Sequence, residues 1–169
     1  MRLLRRDPET RALRALSQAL RRLPERRRPD ESLRVVADLA RRLTNARYSA
    51  LNVTDQHDRT LGFITSGMTE EQLRGLKVPP QGHGPLGTLR DGKPVRYENV
   101  QEHRKAFGFP PRHPQMTTML GVPIWAQGYV RGSLYVTDRS GGRPFTDDDE
   151  FVLVTLAAHA SQVIEREWY

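Results

Sequence analysis

In Gly132-Ser133-Leu134-Tyr135-Val136-Thr137-Asp138, apolar and polar side chains alternate. Leu134 and Val136 share one side of an extended chain with Val130, and Gly132 lies between them. Arg131, Ser133, Tyr135 and Thr137 share the other side. A period of two is the mark of a strand with two unlike faces. Gln127-Gly128 precedes it as a turn, and residues 118–126, with Leu120-Gly121-Val122-Pro123-Ile124 at their centre, read as the partner strand. Downstream, Pro144 closes a glycine-rich turn and Thr146 stands as a helix N-cap. Asp147, Asp148, Asp149 and Glu150 occupy the first turn, where the helix dipole favours anions. Val152, Leu153, Leu156, Ala157, Ala160, Val163 and Ile164 then recur at helical spacing.

Upstream, residues 48–54 and 60–65 read as a second hairpin around the turn 55–58. Thr69 and Gln72 have the spacing of a capping box for a short helix. Residues 77–116 are rich in glycine and proline and admit only short elements, a helical turn at 86–89 and a strand at 94–97. Before the first hairpin, Leu33, Val36, Ala37, Ala40 and Leu43 mark a helix with Asp30 as its expected N-cap. Leu13, Leu16, Leu20 and Leu23 mark an earlier one, ended by Pro24 to Pro29. A lone short helix is marginal in water, so this stripe is expected to pack on a partner. The order helix, hairpin, helix, irregular segment, hairpin, helix predicts an α+β fold: a central antiparallel sheet with helices on one face and a ligand pocket with covering loops on the other.

The 169 residues suit one domain, with residues 1–27 as a basic helical extension and 28–169 as the domain proper. There is no cysteine, which excludes disulfides, thiolate metal sites and cysteine nucleophiles. No apolar run approaches the roughly 20 residues that span a bilayer, and the arginines at the N-terminus lead into no apolar stretch. A cytoplasmic location is expected. The net charge of +7 is uneven: residues 1–47 hold 14 arginines against 6 carboxylates. No aromatic residue interleaves those arginines as a nucleic-acid stacking platform would require, so they read as solvated helix faces. Neither nucleic acid nor membrane is expected as a partner.

The ordered set Leu120 to Ile124, Gly132 to Asp138 and Pro144 to Glu150 resembles the C-terminal half of GAF domains. The resemblance extends upstream through Ala46-Arg47-Tyr48 and Gly82-His83-Gly84-Pro85-Leu86-Gly87, so it covers residues 28–167. More narrowly, Gly108-Phe109-Pro110-Pro111-Arg112-His113-Pro114-Gln115-Met116 resembles a loop of mycobacterial dormancy (hypoxia and redox) sensor kinases, whose first GAF domain holds a b-type haem. That resemblance implies His113 as the proximal ligand of the haem iron. It implies Tyr135 as the distal hydrogen-bond donor, and Asn52, Phe63, Met116 and Leu120 as pocket residues. Asn52 departs from the pattern, standing where those relatives carry a carboxylate.

Physical chemistry gives His113 a second argument. A neutral imidazole is a good ligand for haem iron. Pro110, Pro111 and Pro114 restrict the backbone on both sides of it, and Phe107, Phe109, Met116 and Met119 supply apolar and polarisable surface nearby. The plainer alternative is a turn histidine in a surface loop. Tyr135 is equally readable as a half-buried strand tyrosine with its hydroxyl in water. His83 lies between glycines, His57 in a turn and His103 in a charged loop, all with the look of solvated residues, and His159 suits packing beside Leu156 and Val163. No phosphate loop or nucleophile elbow accompanies a suitable strand, so the chain is expected not to be an enzyme.

By resemblance, then, the chain is expected to be a haem-based sensor of a diatomic gas (O2, NO or CO) or of redox state. It would form a homodimer through its N- and C-terminal helices and signal to a histidine kinase transmitter or response partner. The alternatives are a haem-free module for a nucleotide, an anion or another small metabolite, and an interaction domain dimerising through the Leu13 to Leu23 stripe.

Overall fold

The computed structural model describes residues 7–24, 28–57, 59–75, 91–100 and 116–168. The chain runs α1 (Pro8–Leu20), α2 (Pro29–Leu43), β1 (Ala46–Thr54), β2 (Thr60–Ser66) and α3 (Glu70–Gly75). After residues 76–90 come β3 (Val95–Tyr97), β4 (Met119–Ala126), β5 (Tyr129–Arg139), a 3-10 turn (Ser140–Gly142) and the long α4 (Asp147–Trp168). The strands form one antiparallel sheet in the order β2-β1-β5-β4-β3. Helices α1, α2 and α4 pack together over one of its faces. The expected α+β class, a central antiparallel sheet with helices packed on one face, is the observed one. No helix among the described residues is long and apolar enough to cross a membrane.

Strand parity builds the core. Leu51 and Val53 of β1, Leu120, Val122 and Ile124 of β4, and Leu134 and Val136 of β5 all point to the helices and are fully buried. They meet Leu33, Val36 and Ala40 of α2 and Val152, Leu153, Leu156, Ala160 and Ile164 of α4. Each large aliphatic side chain buried there contributes roughly 1.5–3 kcal/mol. Gly132 is required at its position on β5, because a Cβ there would overlap the carbonyl oxygen of Asn52 on the neighbouring strand.

The helix ends follow their local chemistry, with one correction. Arg28, not Asp30, is the N-cap of α2, because Pro29 at the first helical position already has the φ that starts a helix. Asp30 falls in the first turn and Arg41 and Arg42 in the last, both favourable to the dipole. At α4 the cap is reciprocal: the Asp149 backbone N–H donates to Thr146 Oγ1 at 3.2 Å, and the Thr146 N–H donates to Asp149 Oδ2 at 2.9 Å. The same exchange at 3.1 and 2.9 Å joins Thr69 and Gln72 ahead of α3. In α1, Ala12 and Leu16 are buried against the chain's own core, while Leu13 is 49% exposed. The helix stops at Leu20, so Leu23 lies beyond it. The leucine stripe is thus divided between an inner and an outer side.

Candidate functional site

The sheet face opposite the three packed helices carries the polar chemistry. Cross-strand register arranges it in rows. Tyr135 of β5 sits between Ala50 of β1 and Gly121 of β4, with Thr65 and Val95 completing the row on β2 and β3. One row along are Tyr48, Thr137, Met119 and Tyr97; in the other direction are Phe63, Asn52, Ser133 and Pro123. The phenol therefore stands between the two smallest side chains of the face. Tyr48, Ala50, Val100, Met116, Met119 and Tyr135 form a second buried cluster, flanked by Phe63, Met68, Val95 and Tyr97.

Burial pushes the Tyr135 phenol well above its ordinary value, since desolvation penalises the phenolate. At neutral pH the group is a protonated hydrogen-bond donor in an apolar, sulfur-rich setting. Two polar atoms near it are buried without a partner among the described residues, Thr137 Oγ1 and Asn52 Oδ1. Unmet buried acceptors of this kind are costly and mark places where another polar group belongs. About 10 Å3 of space remains among Tyr48, Phe63, Met68, Met116, Tyr135 and Thr137, enough for one water molecule.

The edges of this face are held by side chains from several elements. Gln72 Nε2 donates to the Tyr48 hydroxyl at 3.1 Å, so the capping box of α3 also places α3 against β1. Thr117, just after residues 101–115, is pinned from two sides. Its N–H donates to Asp138 Oδ1 at 2.5 Å, and its carbonyl accepts from the Val100 N–H at 2.7 Å. Asp138 is left-handed at φ 57, which turns its carboxylate back toward β4. On the edge strand, Arg96 Nη1 reaches Asp147 at 3.1 Å and Nη2 reaches Glu150 at 3.4 Å, tying β3 to the start of α4.

Among the expected pocket residues, the fold brings Tyr135, Phe63 and Met116 together around the small cavity, with Asn52 on the same face. Leu120 is a correction. It pairs with Val136 and points into the helix-side core, because it is one residue out of step with the Gly121–Tyr135 pair. His113, His83 and His103, the aromatic residues Phe107 and Phe109, and the helical turn expected at 86–89 lie outside the described residues. His57 is exposed in the β1–β2 turn and His159 is half-buried on α4, so neither stands on the Tyr135 face. No group of three or more histidine or acidic side chains fit to hold a metal occurs among the described residues. Sequence reasoning missed Tyr48 and Thr137, although both share the strand parity of residues it named. It also missed Met68, a loop residue that no periodicity marks.

Comparison with known proteins adds the family. The family model described as GAF domain matches residues 26–165. Among solved structures, the chain is similar to the GAF domain of a phosphoenolpyruvate-protein phosphotransferase from Coxiella burnetii. The identity is 21% over 94% of this chain and 95% of that one, with a TM-score of 0.72. A domain assigned to a two-component sensor histidine kinase of Sinorhizobium meliloti is 17% identical over 83% and 93% of the two chains, with a TM-score of 0.61. Free methionine-R-sulfoxide reductase from Neisseria meningitidis, in complex with its substrate, is 14% identical over 95% and 89%, with a TM-score of 0.60. At these identities the likeness shows the fold, and the three proteins differ in what they do. None of the three singles out the haem-binding dormancy sensors.

Proposed function

Because this chain belongs to the GAF domain family of small-molecule-binding sensory and regulatory domains, we propose that its ligand lies on the Tyr135 face of the sheet and that this ligand is haem b. The supporting observation is the buried, protonated phenol of Tyr135, set between Ala50 and Gly121 beside the unpartnered oxygens of Thr137 and Asn52. Met68, Met116, Phe63 and Tyr48 offer apolar and polarisable contact surface and Tyr135 offers one hydrogen-bond donor, but the roughly 10 Å3 left among them holds one water, so a macrocycle would seat there only if these side chains parted. His113, which lies outside the described residues, would hold the iron. Haem, when bound, supplies an iron that takes a diatomic gas or changes oxidation state.

The chain's own residues then have distinct tasks. Tyr135 holds its proton and presents it to a polar ligand atom, and desolvation keeps it from ionising. Met68, Met116 and Phe63 exclude water from that donor, which strengthens its hydrogen bond. The Thr117–Asp138 hydrogen bond ties the start of β4 to the end of β5 beside this face. Helices α1 and α4 carry the change to a second copy and to a histidine kinase transmitter or response partner. The chain is read as a binding module and not as an enzyme.

The experiment is optical. Protein purified from haem-supplemented cells should show a Soret band, and His113→Ala should abolish it while leaving the far-ultraviolet circular dichroism unchanged. Colourless protein that also refuses added haemin overturns the haem assignment. A second reading, a haem-free module for a small polar metabolite, is favoured because the roughly 10 Å3 left among the described side chains is far too small for a macrocycle and a small ligand would need less rearrangement. Under it, the colourless protein would still be stabilised by its metabolite, and Tyr135→Phe would weaken that stabilisation.

A further inference from the structure

A separate concavity of about 850 Å3 opens where α2 ends, β1 and β4 begin and β5 ends. Arg41, Arg42, Arg47 and Arg139 line it, with Asp138 as the one carboxylate. Guanidinium groups do not shed their protons, so four of them around one space keep their charge and repel one another. The helix dipole accounts for Arg41 and Arg42 at the end of α2, but not for Arg47 and Arg139, which come from two other elements.

Existing partners leave much of this charge unmet. Arg139 is held by Asp149 at 3.4 Å and by the Pro144 carbonyl at 3.2 Å. Arg41 Nε donates to the Ser66 hydroxyl at 2.9 Å, which in turn donates to the Asp38 carboxylate at 2.6 Å, so Arg41 is the better satisfied of the pair on α2. The Arg47 guanidinium lies 5.2 Å over the Tyr48 ring, and Arg42 makes no ion pair among the described residues. Asp138 already accepts the Thr117 N–H. At the rim, Gly141 and Gly142 have φ of 75° and 68°, so a ligand there meets bare backbone.

We propose that this cleft is a second binding site, for a small molecule bearing a pyrophosphoryl group, distinct from the ligand on the Tyr135 face. The volume lies within the range of small-molecule sites and far exceeds a single phosphate. Planar guanidinium forks match phosphate oxygens two at a time, and adjacent phosphates engage more than one fork. Arg42 and Arg47, both exposed, are the groups free to turn onto the ligand. Arg41 and Arg139 are fixed and supply background charge.

The test is calorimetric titration of the full chain with inorganic pyrophosphate and with ATP at about 0.15 M salt, where exposed charges are screened. One saturable site is expected. Arg42→Ala and Arg47→Ala should each weaken it about tenfold, as loss of a charge-assisted contact does. Arg47→Lys, which keeps the charge and removes the fork, should also weaken it. Tyr135→Phe should leave it unchanged. ATP bound more tightly than pyrophosphate identifies a nucleotide as the source of the group, and equal affinities identify the pyrophosphoryl group alone. The proposal is overturned if neither probe saturates, or if binding survives the Arg42→Ala/Arg47→Ala double substitution. It is also overturned if the chain binds only phosphatidic acid vesicles or duplex DNA.

Discussion

Tyr135 concentrates the chemistry of this domain in one atom, and its environment makes a measurable claim. The phenol is buried, so its folded pKa lies above the ordinary value of about 10. In the unfolded chain the same group ionises as pH rises through 10, while in the folded chain it keeps its proton. The unfolded state therefore binds fewer protons above pH 10, and stability must fall there by up to about 1.4 kcal/mol per pH unit. Tyr135→Phe should remove that part of the alkaline loss. Urea unfolding of both proteins at pH 8 and pH 11 checks it, and equal losses would show a phenol open to water. Asn52 and Thr137 were within reach of strand parity, and the first of them was named. Whether their oxygens found partners depended on which atoms packed above the sheet, which no local pattern encodes.

Among the elements, the two central strands and the last helix were the most legible. Period-two alternation fixed which side chains of β5 look at the helices for Leu134 and Val136, whereas Val130, opposite Trp125 beyond a β-bulge, is only half-buried and stands outside that core. Leu120 shows the limit of that reasoning, because a pocket list assembled by resemblance ignored the parity of β4. Gly132 makes β5 testable: Gly132→Ala should cost about 1–3 kcal/mol, because the added methyl meets backbone that cannot swing aside. Thermal denaturation measures it, and a neutral substitution would mean that β1 and β5 lie farther apart than described. At α4, Thr146→Ala should cost about 1 kcal/mol through loss of the cap. Asp149 does more than its position in an acidic run suggests. It caps the helix and also pairs with Arg139, 3.4 Å away. Likewise Arg96, unremarkable in sequence, reaches both Asp147 and Glu150.

For the whole molecule, α1 is part of the domain's own core and not only an appendage. Leu16→Ala should destabilise the chain by about 2–5 kcal/mol, as deletion of a well-packed leucine does, whereas Leu13→Ser should leave the fold nearly untouched. Chemical denaturation separates the two. If Leu13 serves a dimer, its substitution should instead lower the molecular mass found by light scattering. The amino-acid sequence by itself determined the order of elements, the faces of the strands, the capping of α3 and α4, and the family, because each rests on contacts between residues near one another in the chain. The tertiary structure alone decided that Tyr135 stands between Ala50 and Gly121, and that Leu16 is sealed inside while Leu13 is not. It alone gathered four arginines from α2, β1 and β5 around one cleft. Those facts depend on strand order and helix packing, which join residues tens of positions apart, and no spacing along the chain records such neighbours.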